Sequence, residues 1–205
     1  MEEDEREAVY SRDEYYWGTE PSSLAQRTAE LLPDNLAGYR LVDIGAGEGR
    51  DAVFFAELGA DVTAVEISPA GLEKAKRLAI ERDVTITTVE ADANQLSFSG
   101  SFDIVFSSGA VQFIRPELRK RQFARFKEAT NGGGLHAIFA FVDHPDVPPA
   151  PDTTEDQYLF DRDELQSYYK KWETVDSAEI IFEDDSGGIP HKHAARVHFA
   201  SAPDH

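Results

Sequence analysis

The chain has 205 residues, a formal net charge of −19 and no cysteine, so disulfide bonds, thiolate nucleophiles and cysteine-ligated metals are excluded. The chain has 39 acidic and 20 basic side chains. This excess of negative charge disfavours nucleic-acid binding, because an acidic surface repels phosphate groups. The chain has no long apolar run, and its N-terminus is acidic. Both features predict a cytoplasmic protein that does not enter a membrane.

The same composition bears on domain number and environment. A chain of this length fits a single domain over residues 1–205, with monomer and homodimer both left open. Hydrophobic residues make up 41% of the chain, which argues against disorder. An ordered chain with so acidic a surface is typical of a halophilic protein, because concentrated salt screens its self-repulsion.

Helix and strand patterns alternate along most of the chain. Residues 1–14 are highly charged and predict a flexible acidic lead-in. Apolar periodicity and capping residues predict helices at 22–32, 49–58, 69–82, 116–130 and 161–171. Alternating or continuous apolar runs predict strands at 40–44, 61–66, 84–89, 102–107 and 135–142, with the glycine-rich stretch 131–134 as the turn before the last of them. A closing hairpin is predicted from strands at 173–183 and 191–200 around a turn at 184–188.

This order of elements predicts the fold class. Strands that alternate with helices form parallel βαβ units, and the closing hairpin adds an antiparallel pair. We therefore expect an α/β fold: a doubly wound, mostly parallel, seven-stranded Rossmann-like sheet with a C-terminal antiparallel hairpin and helices on both faces.

The most informative motif is residues 41–50, which read LVDIGAGEGR. A strand pattern runs into Gly45, Gly47 and Gly49, and a helix pattern begins at once. This arrangement directs backbone N–H groups into a crevice, and the missing Cβ atoms let a ligand lie close. Seventeen residues after Gly49, the second predicted strand ends at Glu66, where a carboxylate accepts both hydroxyls of a ribose.

The glycine spacing discriminates between two cofactors. A dinucleotide fingerprint is Gly-x-Gly-x-x-Gly, whereas this loop is Gly-x-Gly-x-Gly and carries Asp43 and Glu48. Negative charge suits a ligand with a cationic end, and S-adenosyl-L-methionine has both an α-ammonium and a sulfonium. A purely structural turn is the alternative, and the position of Glu66 argues against it.

Polar residues also follow the later predicted strands, at Asp92, Ser107 and Asp143. The carboxyl ends of parallel strands are where ligands collect in such sheets. Each residue taken singly is an ordinary solvated loop residue, but together they favour an adenosine site in which Asp92 meets the adenine amino group.

Candidate substrate-side residues lie at both ends of the chain. His191 and His193 share one face of a strand, and with Arg196 they would bind an anion or accept a proton. A surface pair beside the turn is the alternative. A metal site with Asp184 or Asp185 is disfavoured, so no metal is expected.

Aromatic residues near the N-terminus form a second group. Tyr16 and Trp17 are placed to close over a sulfonium through cation–π contact, and burial of the segment against the core is the alternative. Gln112 follows the fourth strand and is expected to line the substrate cavity.

These stretches resemble the class I S-adenosylmethionine-dependent methyltransferases. The resemblance covers about residues 15 to 202, and the matching motifs are 41–50, 64–68, 90–93, 102–108 and 131–134. It implies in-line transfer of a methyl group to a small-molecule nucleophile. It also implies that Asp43 faces the cofactor ammonium and that the cofactor is held by Gly45, Gly47, Gly49, Glu66, Ile67, Asp92, Ala93 and Ser107.

Within that family the chain is most similar to the tellurite-resistance methyltransferase group, through residues 47–52, 62–74 and 160–172. That group carries a His-Arg pair at the end of strand six, whereas this chain has Ile180-Ile181-Phe182. The resemblance therefore implies the fold and the cofactor, but not the tellurite substrate. A nicotinamide-dependent oxidoreductase and a non-catalytic S-adenosylmethionine-binding module remain the alternatives.

Overall fold

The computed structural model describes residues 3–151, 153–185 and 188–204. Its helices are α1 Glu3–Tyr10, α2 Ser23–Glu30, α3 Arg50–Glu57, α4 Pro69–Glu81, α5 Pro116–Glu128 and α6 Glu164–Ser167, with a 3-10 turn at Val111–Phe113. Its strands are β1 Arg40–Ile44, β2 Asp61–Glu66, β3 Thr87–Glu90, β4 Phe102–Ser108, β5 Thr130–Phe141, β6 Glu173–Asp184 and β7 His191–Ser201. Within this part of the chain, no helix has both the length and the apolar character needed to cross a bilayer.

The strands form one seven-stranded sheet in the order β3-β2-β1-β4-β5-β7-β6. β1 to β5 pair in parallel, and β7 pairs antiparallel with both β5 and β6. This topology confirms the predicted fold class. Because β7 runs backwards, its first residues and the last residues of β6 lie at the same edge as the carboxyl ends of β1 to β5.

The sheet is covered on both faces, which explains the continuous apolar run of β1. Leu41 and Val42 point to opposite faces and are both fully buried. Leu41 belongs to a cluster with Phe55 of α3, whereas Val42 belongs to a cluster with Phe123 of α5. The helices thus form two layers that leave the carboxyl edge of the sheet open between them.

The segment 1–14, predicted to be a flexible lead-in, contains a packed helix in the part that the structure describes. Residues 3–10 form α1, and Tyr10 is buried. The Glu7 carboxylate accepts hydrogen bonds from Ser68 Oγ and from the backbone N–H of Ala70, at the N-terminus of α4. A negative charge at that position also stabilises the α4 dipole. The contact joins residues about sixty positions apart, so no local pattern indicated it.

Three other predicted boundaries differ from the structure. The glycine-rich stretch 131–134 lies inside β5, where the pairing of β4 with β5 jumps from Phe102 and Thr130 to Ile104 and Leu135. The predicted helix at 161–171 is α-helical only at Glu164–Ser167, and the strand predicted at 84–89 begins at Thr87. Part of the predicted hairpin turn, 186–187, lies outside the described residues.

Two histidines lie in the core rather than at a site. His136 contacts Thr130 Oγ1 at 2.8 Å and the Tyr169 hydroxyl at 2.9 Å. His198 is 1% exposed, and neither of its ring nitrogens has a hydrogen-bond partner among the described residues. Burial lowers the pKa of His136 to about 3 and that of His198 to about 4.

These lowered pKa values predict acid sensitivity. The unfolded chain takes up protons near pH 6.5, but the folded chain does not, so stability is lost as the pH falls from about 6.5 towards 4. Replacing His198 by leucine is expected to remove an unsatisfied buried group and stabilise the fold by about 1–3 kcal/mol. Urea unfolding at pH 7.5 and pH 5 measures both effects. If the leucine variant is no more stable than the parent and loses the same stability on acidification, His198 is not the unsatisfied buried group inferred here.

Candidate active site

A cavity of about 1150 Å³ opens at the carboxyl edge of the sheet. It runs from the loops after β1, β2 and β3, past the end of β4, to the β6–β7 hairpin. Neighbouring strands lie ~4.8 Å apart, so β7 is roughly 14 Å from β1, three strand spacings away. The cavity therefore has one end at the glycine loop and another at the hairpin.

The glycine loop is shaped by packing as well as by the cavity. Gly45, Gly47 and Gly49 all have positive φ angles, of +80°, +54° and +89°. A Cβ on Gly45 would lie 2.1 Å from Ala110 Cβ, and one on Gly49 would lie 2.5 Å from Ala75 Cβ. Gly45 and Gly47 line the cavity, but Gly49 packs against α4 and does not line it. At Gly49 the need for glycine therefore comes from helix packing.

Backbone N–H groups of this loop are largely engaged within the protein. Those of Gly45 and Ala46 donate to the Val65 carbonyl at 2.8 and 2.9 Å. The N–H of Gly47 donates to Glu66 Oε2 at 3.0 Å. The loop thus offers a rigid wall and close approach, while its carboxylates supply the polar contacts.

Glu66 is held so that part of its carboxylate stays available. It is 5% exposed and lines the cavity. Its Oε2 accepts from Gly47 N, and its Oε1 accepts from Ser68 N at 3.0 Å. Each carboxylate oxygen can accept a second hydrogen bond, so the group can still receive two donors from a vicinal diol.

Asp43 is the cavity carboxylate that makes no ion pair among the described residues, and the charge of Arg50 only partly offsets its burial. It is 2% exposed, lines the cavity and accepts no hydrogen bond within the described ranges. Burial raises the pKa of its carboxyl well above the usual range, and the nearby charges of Asp51 and Glu66 raise it further. A buried carboxylate is costly unless it is paired, so this position favours a cationic ligand group.

Glu48 does not add to that negative charge, contrary to the expectation from sequence. Its Oε1 lies 2.6 Å from the Nζ of buried Lys74, and its Oε2 accepts the Trp17 N–H at 3.1 Å. The ion pair compensates the charge of Glu48. The preference of the loop for a cation therefore depends on Asp43.

The N-terminal segment covers the cavity. Tyr10, Tyr16 and Trp17 all line it. Trp17 Nε1 donates to the Tyr10 hydroxyl at 2.9 Å, and Arg50 donates to the Trp17 carbonyl at 2.8 Å. Tyr16 packs edge-on against Trp17, with ring centroids 4.7 Å apart. Tyr10 was missed from sequence, and its only signal was an aromatic residue among charged ones.

The loop after β3 forms the wall beyond Glu66. Ile67, Asp92 and Ala93 line the cavity, as expected. Asp92 Oδ1 accepts from both the backbone and side-chain nitrogens of Asn94, each at 2.8 Å. Asn94 Nδ2 also donates to the Phe113 carbonyl at 3.0 Å, which fixes this loop to the one after β4. The Asp92 side chain is thereby held in place at the cavity.

Two predicted residues point elsewhere. Ser107 is fully buried and donates to the Ile44 carbonyl at 2.7 Å, whereas its neighbour Ser108 lines the cavity. Arg196 pairs with Glu179 at 3.0 Å and does not line the cavity. It lies three residues after His193, so the alternation of a strand places it on the opposite face.

The far end of the cavity is aromatic and contains His193, one member of the predicted histidine pair. Phe139, Phe141, Phe182 and His193 line it, and Gln112 lies beside it with Nε2 donating to the Gly109 carbonyl at 2.6 Å. His191 does not line the cavity, but its Nε2 lies 2.9 Å from the Nε2 of His193. The structure therefore brings both histidines to this end.

Comparison with known proteins supports a family assignment. The family model described as tellurite resistance protein TehB matches residues 11–193. A probable S-adenosyl-L-methionine-dependent methyltransferase TehB from Haemophilus influenzae is 28% identical over 145 residues, which are 70% of this chain and 49% of that protein. The uncharacterized methyltransferase YodH from Bacillus subtilis is 32% identical over 139 residues, which are 65% of this chain and 57% of that protein. The chain spans about half the length of the curated relatives it matches.

Solved structures show the same fold. The crystal structure of TehB from Haemophilus influenzae has a TM-score of 0.80 and 24% identity, covering 96% of this chain and 67% of that one. The N-methyltransferase NodS from Bradyrhizobium japonicum, in complex with S-adenosyl-L-homocysteine, has a TM-score of 0.72 and 13% identity, covering 98% of both chains. The resemblance drawn from the sequence motifs is confirmed. Since the family model spans well over half of its length, the chain belongs to the tellurite resistance protein TehB family.

Proposed function

We propose that the chain is an S-adenosylmethionine-dependent methyltransferase that acts on a small-molecule nucleophile by in-line methyl transfer. The observation that carries the proposal is the buried carboxylate of Asp43, which makes no ion pair within the described ranges and shares its cavity with Glu66 and Asp92. A cation, a diol and an amino group are the ligand groups that these three carboxylates suit. S-adenosylmethionine has these groups in the same order: the cation is its α-ammonium, the diol is on its ribose, and the amino group is on its adenine.

Methyl transfer requires little of the protein beyond positioning the methyl donor and the acceptor. When bound, the cofactor supplies an activated methyl group whose leaving group is a neutral thioether. The contribution of the chain is to hold the donor through Asp43, Glu66 and Asp92 while the aromatic end of the cavity orients the acceptor. Positioning of this kind accounts for as much as ~7–11 kcal/mol of a barrier, so neither a covalent intermediate nor a nucleophilic side chain is required.

The covered cavity supports a small acceptor. Tyr10 and Trp17 close one side of it, and Phe141 and Phe182 form the far wall. A macromolecular substrate would have to displace that cover, and a nucleic acid would also meet the net charge of −19. We place this reaction in the cytoplasm.

Calorimetric titration of S-adenosylmethionine, S-adenosylhomocysteine and NAD tests the cofactor. We expect the first two to bind and NAD not to. Formation of S-adenosylhomocysteine from a panel of thiols, amines and oxyanions then tests turnover. Binding of NAD alone would favour the oxidoreductase alternative, and binding without any turnover would favour the non-catalytic module.

We also infer that the acidic surface is an adaptation to salt. Self-repulsion among the excess of acidic groups is screened only at high ionic strength. The titrations are therefore run in dilute buffer and in molar KCl, with the melting temperature recorded in each. A melting temperature that does not rise with KCl would contradict the inference.

A further inference from the structure

Three potential metal ligands meet where the β6–β7 hairpin borders the cavity. One ligand atom each from Asp184, His191 and His193 lies within 4.8 Å of the others. Asp184 and His191 are cross-strand partners at the end of β6 and the start of β7, and His193 follows on the same face of β7. The spacing in the sequence was compatible with a metal ion here, but such a site was disfavoured, and the converging ligand atoms are what the structure adds.

We propose that Asp184, His191 and His193 form a binding site for a divalent first-row transition-metal ion, such as Zn²⁺, at the acceptor end of the cavity. The proposal concerns metal binding and does not depend on methyl transfer. Two imidazoles and one carboxylate suit Zn²⁺ and its neighbours, whereas Mg²⁺ and Ca²⁺ prefer oxygen ligands.

The distances fit such an ion. His191 Nε2 and His193 Nε2 are 2.9 Å apart, and His193 Nε2 is 3.6 Å from Asp184 Oδ2. Ligands about 2.0–2.1 Å from a tetrahedral zinc are separated by about 3.3 Å from one another. The observed separations lie on either side of that value, so small side-chain rotations would complete the geometry.

The surroundings orient the ligands. The Nδ1 of His191 lies 2.6 Å from the Ile189 carbonyl, so Nδ1–H donates and Nε2 of the neutral ring carries the lone pair. Metal-ligating histidines are commonly held in this way by a carbonyl or carboxylate. The ring of His193 packs against Phe141 and Phe182, with centroids 4.8 and 5.6 Å away. The 2.9 Å contact between the two Nε2 atoms is then a hydrogen bond from His193 Nε2–H to His191 Nε2, and metal binding would replace it by two metal–Nε2 contacts.

The position of the site indicates its use. Asp184 and His193 line the cavity, so an ion held by three protein ligands would present its remaining coordination position there. The single carboxylate leaves a doubly charged ion with net positive charge. The open coordination position of the ion would therefore bind an anion, such as a thiolate. Such a ligand could be the acceptor of the methyl group.

Metal titration of the full chain tests the site. The protein is dialysed against chelator in molar KCl, which suppresses weak binding to its acidic surface. We then expect one equivalent of Zn²⁺ by calorimetry, and Co²⁺ with visible absorption that changes when azide is added. His191→Ala, His193→Ala and Asp184→Asn should each weaken binding more than about 10-fold, the lower limit for losing an outer-shell partner.

Matched controls are available within the hairpin. Asp185→Asn removes the adjacent exposed acid, and Lys192→Ala changes the exposed residue between the histidines. Both should bind like the parent chain. Substoichiometric binding, equal binding of Mg²⁺, or binding that survives His191→Ala together with His193→Ala would overturn the proposal. Circular dichroism and S-adenosylmethionine titration of every variant separate this result from misfolding and from failure of the proposed function.

Discussion

Replacing Asp43 by asparagine is expected to weaken S-adenosylmethionine binding by about 1.5–3 kcal/mol and to stabilise the ligand-free protein. The affinity falls because the carboxylate would no longer pair with the cofactor ammonium. The stability rises because burial and the charges of Asp51 and Glu66 make the ionised carboxyl of Asp43 unfavourable. Calorimetric titration and the melting temperature, both at pH 7.5, measure the two effects.

The pH dependence of stability and of cofactor affinity provides a second test of Asp43. The raised pKa of Asp43 means that its stabilising contribution is present at low pH and is lost as the pH rises through that pKa. The gain from Asp43→Asn should therefore be largest in alkaline buffer. Cofactor affinity of the parent should fall as the pH drops through the same pKa. Asp61→Asn, at the exposed start of β2, is the matched control, and equal behaviour of the two variants would remove Asp43 from the site.

Replacing Glu66 by alanine is expected to weaken the cofactor by about 1–3 kcal/mol and also to destabilise the fold. The first effect follows from losing the acceptor for the ribose hydroxyls. The second follows because the N–H groups of Gly47 and Ser68 lose their partner, at about 1–3 kcal/mol for each buried donor. Calorimetry and urea unfolding separate the two.

Two further variants make the result interpretable. Glu66→Gln keeps one carbonyl oxygen and should lie between the parent and Glu66→Ala in both measurements. Glu90→Ala removes the exposed acid that is paired with Glu66 across β2 and β3, and should change neither. If Glu66→Ala folds and binds S-adenosylmethionine as tightly as the parent, the ribose assignment is wrong.

Much of the cavity wall followed from local sequence. The order of elements and the Gly-x-Gly-x-Gly loop predicted the fold class, because parallel strands joined by helices have few ways to pack. Asp43, Glu66 and Asp92, which line the cavity, were candidates because each lies close to the carboxyl end of a predicted strand. In this topology, those positions share one edge of the sheet.

Errors arose where the neighbours of a side chain decided its role. Glu48 was expected to add negative charge to the loop, but Lys74, 26 residues away, compensates it. Ser107 near the end of β4 and Arg196 in the middle of β7 do not line the cavity, which period-two alternation could have indicated for Arg196. The segment 1–14 had no pattern that revealed its contact with α4.

For this protein, the sequence by itself determined the succession of helices and strands along the chain, the glycine loop and the carboxylates at the strand ends. Those features depend on periodicity and turn chemistry over a few residues. Only the tertiary structure decided that Asp43 makes no ion pair among the described residues, that α1 and Trp17 cover the cavity, and that Asp184, His191 and His193 converge. The charge around a side chain, the cover of a cavity and the convergence of ligand atoms all depend on segments that are distant in sequence. No local pattern encodes them.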